Sequence, residues 1–419
     1  MKLRNLISVM LAAVLFSSSN AALASESNLT YGECEMTISV DDVYFENRVS
    51  ATNYCEPVID GYYGAGNFGL SGSYSGPVDF SGQKFEVSNP FSPNVHEVLT
   101  VNLVGPNGEP VKDYIRFAGK SRLDTAIEVS KRGWPTGLTF PPEQAVILAR
   151  ADDPADALAA SSLSGAKDAP ILLTYPTKID QAVLDELNRL KPENIYLLGG
   201  TSAIHPTVEN KLNTLGYNVE RIAGTNRFET AGKINDIVLS VNDQNTKAII
   251  VNGYTVADAL SASAYASTQR VPIYLATKDK APIDLPGNIT SVDIYGGTSV
   301  ISDSLFNALK SKGITVNRIA GKNRYDTSIA AVEEQFAGPL LKVILVRGES
   351  TSSTKQDYPD AVVASALAHK YGTKLLLVHP TKSNEEIKDY LQSLDTYRVF
   401  VLGGENAVPD DMIQYLGLE

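Results

Sequence analysis

The residue types with most chemistry in them recur together. Arg116-Phe117-Ala118-Gly119-Lys120-Ser121-Arg122-Leu123-Asp124-Thr125 returns as Arg221 to Thr230 and again as Arg318 to Thr327, each time Arg-x-Ala-Gly-x-x-Arg-x-acid-Thr. Two guanidinium groups flank a glycine turn at the start of a helix. Backbone N–H groups converge at a helix N-terminus, and arginine grips phosphate or carboxylate bidentately, so this pattern can hold an anion. The same arginines could instead pair with Asp124, Glu229 or Asp326, or with the acids of a second landmark, and fasten the copies together. Arg116, Arg221 and Arg318 are read as structural, and Arg122, Arg227 and Arg324 as the better candidates for an anion.

The second landmark is Asp-Ala, at Asp156, Asp258 and Asp360. These acids are read as structural partners or helix caps rather than catalytic groups. Next comes an apolar run: Pro170-Ile171-Leu172-Leu173, Pro272-Ile273-Tyr274-Leu275 and Lys374-Leu375-Leu376-Leu377. Last is a Gly pair: Gly199-Gly200, Gly296-Gly297 and Gly403-Gly404. No Gly-x-Gly-x-x-Gly or Gly-Lys-Ser/Thr follows, so a nucleotide loop is not indicated. His96, His205, His369 and His379 sit in unrelated contexts, and no metal or cofactor is expected. With no His-Glu-x-x-His and no Gly-x-Ser-x-Gly, the chain is not expected to be an enzyme.

Strand-length apolar runs alternate with helical patterns in each copy. In the second copy, strands are expected near Val219–Ala223, Ala248–Val251, Pro272–Leu275 and Val292–Tyr295, with helices over Thr230–Ser240 and Ile301–Leu309. Continuous β-branched and Leu runs suit strands buried on both faces, and the alternation implies right-handed βαβ units in a parallel sheet. About four strands make a small sheet, so each copy should cover apolar surface by packing on its sisters. Three near-equal copies can close as a pseudo-threefold ring.

The chain of 419 residues carries a net charge of −12, which argues against a nucleic-acid partner. Lys2 and Arg4, the apolar run Leu6–Phe16 and Ala22-Leu23-Ala24 read as an export signal over residues 1–24, leaving no membrane span in the mature chain. Residues 25–113 hold thirteen acids against Arg48, Lys84 and Lys112. Alternation in Met36–Val40 and Val98–Val104 and the Asn107-Gly108 hairpin signal suggest a small β-sandwich-like domain, its target unknown. Cys34 and Cys55 are the only cysteines, and a disulfide is expected in an exported chain. Boundaries are expected at 114–217, 218–314 and 315–419 for the three copies.

The four landmarks in order, three times, resemble the cell wall binding repeat 2 family of secreted Gram-positive surface proteins over residues 114–419. The resemblance implies three tandem flavodoxin- or Toprim-like modules packed as a pseudo-trimer. It also implies noncovalent attachment to an anionic secondary cell-wall polymer, with the N-terminal β domain displayed. The family's proposed binding elements, an Ile-Leu-Leu motif with an arginine, map to Ile171, Leu172 and Leu173 with Arg122, to Ile273 and Leu275 with Arg227, and to Leu375, Leu376 and Leu377 with Arg324. The second copy breaks the motif with Tyr274 and the third lacks the leading Pro. Arg122 is therefore expected to carry the largest share of binding. A wall-turnover enzyme and a laterally assembling surface protein are the alternatives.

Overall fold

The computed structural model describes residues 30–40, 49–53, 83–89 and 92–104, and then residues 114–418 except 139–142, 154–155, 158, 282–283, 336–341, 354–356 and 394–397. The chain divides into two compact units, Met1–Lys112 and Asp113–Glu419. In the first, β1 (Thr30–Val40), β2 (Val49–Asn53), β3 (Gln83–Asn89) and β4 (Ser92–Val104) form one mixed sheet of order β2-β1-β4-β3. β1 runs parallel to β4, and both hairpin-like pairings, β1 with β2 and β3 with β4, are antiparallel. Cys34 lies in β1, opposite Leu99 in the register. Cys55 and the Asn107-Gly108 turn lie outside the described residues, as does any second layer of a sandwich.

The second unit holds three parallel four-stranded sheets. After β5 (Tyr114–Phe117) the first copy runs α1 (Arg122–Gly133), β6 (Ala145–Arg150), α2 (Ala160–Lys167), β7 (Ile171–Thr174), α3 (Gln181–Leu190), β8 (Asn194–Leu198) and α4 (Pro206–Thr214). The second runs β9 (Asn218–Ile222), α5 (Arg227–Val241), β10 (Lys247–Asn252), α6 (Val256–Gln269), β11 (Ile273–Ala276), β12 (Ser291–Tyr295) and α7 (Asp303–Ser311). The third runs β13 (Thr315–Ile319), α8 (Arg324–Gln335), β14 (Lys342–Arg347), α9 (Pro359–Tyr371), β15 (Lys374–Val378), α10 (Glu385–Ser393), β16 (Arg398–Leu402) and α11 (Asp410–Tyr415). Copies one and three place a helix between their last two inner strands. Among the described residues of 277–290 the second has none; Pro282 and Pro286 there cannot donate to a helical ladder.

Sheet order adds a feature that a linear repeat does not announce. The orders are β7-β6-β8-β9, β11-β10-β12-β13 and β15-β14-β16-β5. Each sheet takes its last strand from the signature segment of the following copy, and the third takes it from the first. The chain thus closes into a ring of three modules by exchanging strands. At its centre α2, α6 and α9 pack on one another. They are rich in Ala, Ser and Gly, and small residues let them come close: a Cβ on Gly165 of α2 would lie 1.9 Å from the Ser267 carbonyl oxygen of α6. Ser162 donates to the Val271 carbonyl across the same contact at 2.8 Å. Among the described residues no helix is long and apolar enough to cross a membrane.

Candidate functional site: arginine crevices at the module junctions

Each signature spells a strand, a turn, a cap and a helix start. Gly119, Gly224 and Gly321 meet the next helix so closely that an added Cβ would sit 2.1–2.2 Å from the Cβ of Asp124, Glu229 or Asp326. The Thr hydroxyl accepts the N–H of that glycine at 3.1, 3.1 and 3.0 Å. Ser121 and Asn226 cap their helices through side-chain oxygens, and Asn323 accepts the N–H of Tyr325 and Asp326 likewise. The signature acid folds back on the cap: Glu229 accepts from the Thr225 N–H at 2.9 Å and Asp326 from the Lys322 N–H at 3.2 Å. All of this orients the second arginine, which is the first helical residue of α1, α5 and α8.

The first arginine of each copy faces the Gly pair of the preceding copy, whose sheet its strand joins. Arg116, Arg221 and Arg318 donate to the carbonyls of Gly403, Gly199 and Gly296 at 2.9, 2.7 and 2.9 Å. Their other donors reach Asp410, Glu209 and Asp303, acids of the helix that follows. These bonds join the signature strand to the Gly loop.

The second arginine, Asp-Ala acid and Gly pair converge at the C-terminal ends of the strands, where open α/β sheets form crevices. Arg122, Arg227 and Arg324 donate to the carbonyls of Ala151, Gly253 and Gly348 at 2.7, 2.8 and 2.7 Å, each just past the first inner strand of its copy. The acid that feels each of them comes from the preceding module around the ring: Asp360 for Arg122, Asp156 for Arg227 and Asp258 for Arg324. These carboxyls lie over the first glycine of the pair. A Cβ on Gly199, Gly296 or Gly403 would stand 2.7–2.8 Å from the Asp Oδ2, and all three have φ near +100°. Burial pushes Asp258 and Asp360 up to about 6, with the arginine charge opposing it only in part. Asp156 is raised for the same reason, less so because Thr230 hydrogen-bonds it.

The three crevices differ in what their arginine touches. Arg122 grips both carboxylate oxygens of Asp357, at 2.8 and 3.0 Å, and Asp357 is only 7% exposed. Arg324 bonds the Tyr358 hydroxyl at 2.9 Å and lies 3.8 Å from the Glu349 carboxylate. Arg227 has one hydrogen-bond partner among the described residues, the Gly253 carbonyl, and no carboxylate within ion-pair distance. Its guanidinium lies 5.3 Å from the ring centre of Tyr254, which is 57% exposed and edge-on to Phe228. Asp357 and Tyr254 were not singled out from sequence. Asp357 stands three residues before Asp360, the spacing of Asp153 and Asp156, and that match was the available signal.

The apolar runs are elsewhere. Ile171, Leu172, Leu173, Ile273, Leu275, Leu375, Leu376 and Leu377 form β7, β11 and β15 and are at most 2% exposed. Their side chains fill both faces of the sheets, as buried parallel strands require. A surface contact through these side chains, which the resemblance implied, is not offered by this arrangement. Their Arg partners are at the crevices, away from those buried faces. Among the described residues no three His, Cys, Asp or Glu side chains group as a metal set.

The chain is 28% identical over 298 residues to N-acetylmuramoyl-L-alanine amidase LytC of Bacillus subtilis, covering 70% of this chain and 56% of that protein. It is 33% identical over 302 residues to the amidase enhancer of the same organism, covering 72% and 40%. It therefore spans about half the length of these relatives. Among solved structures, Cwp8 from Clostridium difficile superposes with a TM-score of 0.65 at 24% identity (80% of this chain, 58% of that one), and Cwp6 with 0.63 at 24% (80% and 51%). These share the fold. The model of cell wall binding domain 2 matches three times, at residues 116–209, 221–306 and 318–413, and the chain belongs to that family.

Proposed function

We propose that this protein attaches noncovalently to an anionic secondary cell-wall polymer at the cell surface, through the junction crevices of its three repeats. The observation that carries the reading is Arg227. In the first and third crevices a protein carboxylate stands at or near the arginine; in the second no carboxylate of the described residues lies within ion-pair distance, and an exposed tyrosine ring lies beside the arginine. A polymer phosphate or carboxylate fits where Asp357 sits on Arg122, with a sugar ring against Tyr254. The largest share of binding accordingly moves from Arg122 to Arg227. Arg122 and Arg324 contribute less, because their own acids compete. On this reading the repeats bind and do not hydrolyse, the signal 1–24 is removed on export, Cys34 and Cys55 join, and the acidic 25–113 segment is held away from the wall by like charge. The test is sedimentation of the chain with purified Gram-positive walls, comparing Arg227→Ala and Tyr254→Ala with the parent. Full binding by both variants at wild-type affinity would remove the proposal's basis.

A further inference from the structure

The C-terminal ends of β14, β15 and β16 surround an open cavity of about 420 Å³, lined among others by Arg347, Glu349, His379, Pro380, Glu405 and Asn406. Its chemistry differs from that of the arginine crevices. Arg347 directs its donors to three backbone carbonyls, those of Glu349 (2.9 Å), Asn406 (2.9 Å) and Ser350 (3.3 Å). Glu349 accepts from the Tyr325 hydroxyl at 2.7 Å through one oxygen only. Glu405 is exposed. Arg347 thus commits its donors to the protein's own carbonyls, and the acids Glu349 and Glu405 in the lining disfavour a phosphate beside them.

His379 is 9% exposed, and its Nδ1 accepts the N–H groups of Thr381 and Lys382 at 3.1 and 2.9 Å. A nitrogen accepting two N–H groups carries no proton, so the proton of the ring is on Nε2. Burial lowers the ring's proton affinity further, with Glu349 opposing, and it is neutral at pH 7. Among the described residues nothing accepts from Nε2. The Nε2–H is thus a donor without a protein acceptor among the described residues, in the lining of the cavity, where a ligand oxygen can accept it. Strand register makes the set peculiar to the third copy. Where it has Arg347 and His379, the first has Arg150, locked onto Asp152, and Tyr175, and the second has Asn252 and Thr277.

We propose that this cavity binds one uncharged sugar ring, the His379 Nε2–H donating to a hydroxyl and Glu349 and Glu405 accepting from others. Pro380 and Pro409 supply apolar faces for the ring. The site shares Glu349 with the Arg324 crevice but no residue with that of Arg227, and it stands even with Arg227 silent.

The test uses the full chain. Its four histidines give an imidazole spectrum simple enough to follow, with His379 assigned by His379→Asn. Titration with N-acetylglucosamine, with glucose and with glycerol phosphate should move the His379 resonances saturably for at least one neutral sugar and not for glycerol phosphate. In His379→Asn the amide oxygen takes the place of Nδ1 and keeps the two N–H bonds, while the Nε2 donor is lost. That variant should melt as the parent does and bind the sugar at least tenfold more weakly by ligand-observed saturation transfer. Glu405→Gln, at an exposed position, should weaken binding severalfold and serves if His379→Asn does not fold. No response of His379 to either neutral sugar, a response to glycerol phosphate instead, or undiminished binding in the variants overturns the proposal. Wall sedimentation of Arg227→Ala, read separately, reports on the anionic crevices alone.

Discussion

Replacing the junction arginines one at a time should separate holding the ring together from holding a ligand. Arg122→Ala removes the guanidinium that grips Asp357, a carboxylate only 7% exposed, and leaves the Thr351 hydroxyl, 2.5 Å away, as its side-chain partner. Orphaning one member of a buried ion pair costs about 3–5 kcal/mol. In a unit of this size that lowers the melting temperature by roughly 10 °C. Arg227→Ala loses a single bond to the Gly253 carbonyl, about 1 kcal/mol and a few degrees at most. Wall affinity should order the other way. Arg227→Ala should fall about tenfold or more while folded, since each tenfold is only ~1.4 kcal/mol. Arg122→Ala, corrected for its folded fraction, should lose less wall affinity than Arg227→Ala. Thermal melts and wall sedimentation on the same preparations check both. Arg227→Ala binding like the parent, or Arg122→Ala melting like the parent while losing the wall, would refute the reasoning.

Three further outcomes follow from particular groups. Asp258 and Asp360 are held near 6 in the folded state against an ordinary 3.8. The folded chain therefore binds protons more tightly than the unfolded one, and stability should rise as pH falls from 7 to about 5, by about 1.3 kcal/mol per group, with the full effect of about 3 kcal/mol reached only below pH 3.8. Asp258→Asn with Asp360→Asn should be more stable at pH 7 and flatten that rise; denaturant midpoints across pH measure it, and falling stability from pH 7 to 5 in the parent would contradict it. Gly165→Ala drives a methyl to 1.9 Å from the Ser267 carbonyl and should cost about 3 kcal/mol or more, whereas Gly200→Ala, with nothing within 4 Å, should be near neutral by the same melts. Wall affinity should fall with added salt, because exposed charges are screened within ~10 Å at 0.1 M; affinity indifferent to salt would point to sugar contacts alone.

Much of the second unit was legible from sequence because its signals are local. The expected strands of the second copy agree with β9, β10, β11 and β12 to within a residue or two, and α5 extends the helix expected at Thr230–Ser240 by a turn at its start, where Asn226 caps it. Strand exchange was not legible: β9 pairs with β8 rather than with a strand of its own copy, and a repeat has the same sequence whichever neighbour its first strand joins. The parallel-strand pattern of Ile171-Leu172-Leu173 was legible as burial, and burial is where the structure puts it; a surface role had come from resemblance. The contrast among Arg122, Arg227 and Arg324 was hidden because the partners lie far away in sequence, Asp357 being 235 residues from Arg122. The His379 cavity was hidden for a related reason. It is assembled from the ends of three strands and a Gly loop that share no motif.

The most direct measurement compares the chain's binding to intact Gram-positive walls and to the same walls after acid extraction of their phosphodiester-linked polymers, with Arg227→Ala alongside. The account predicts saturable binding to intact walls, loss of that binding after extraction, and weak binding by Arg227→Ala to either. Undiminished binding of the parent to the extracted wall, or binding of Arg227→Ala to intact walls as tight as the parent's, would contradict it.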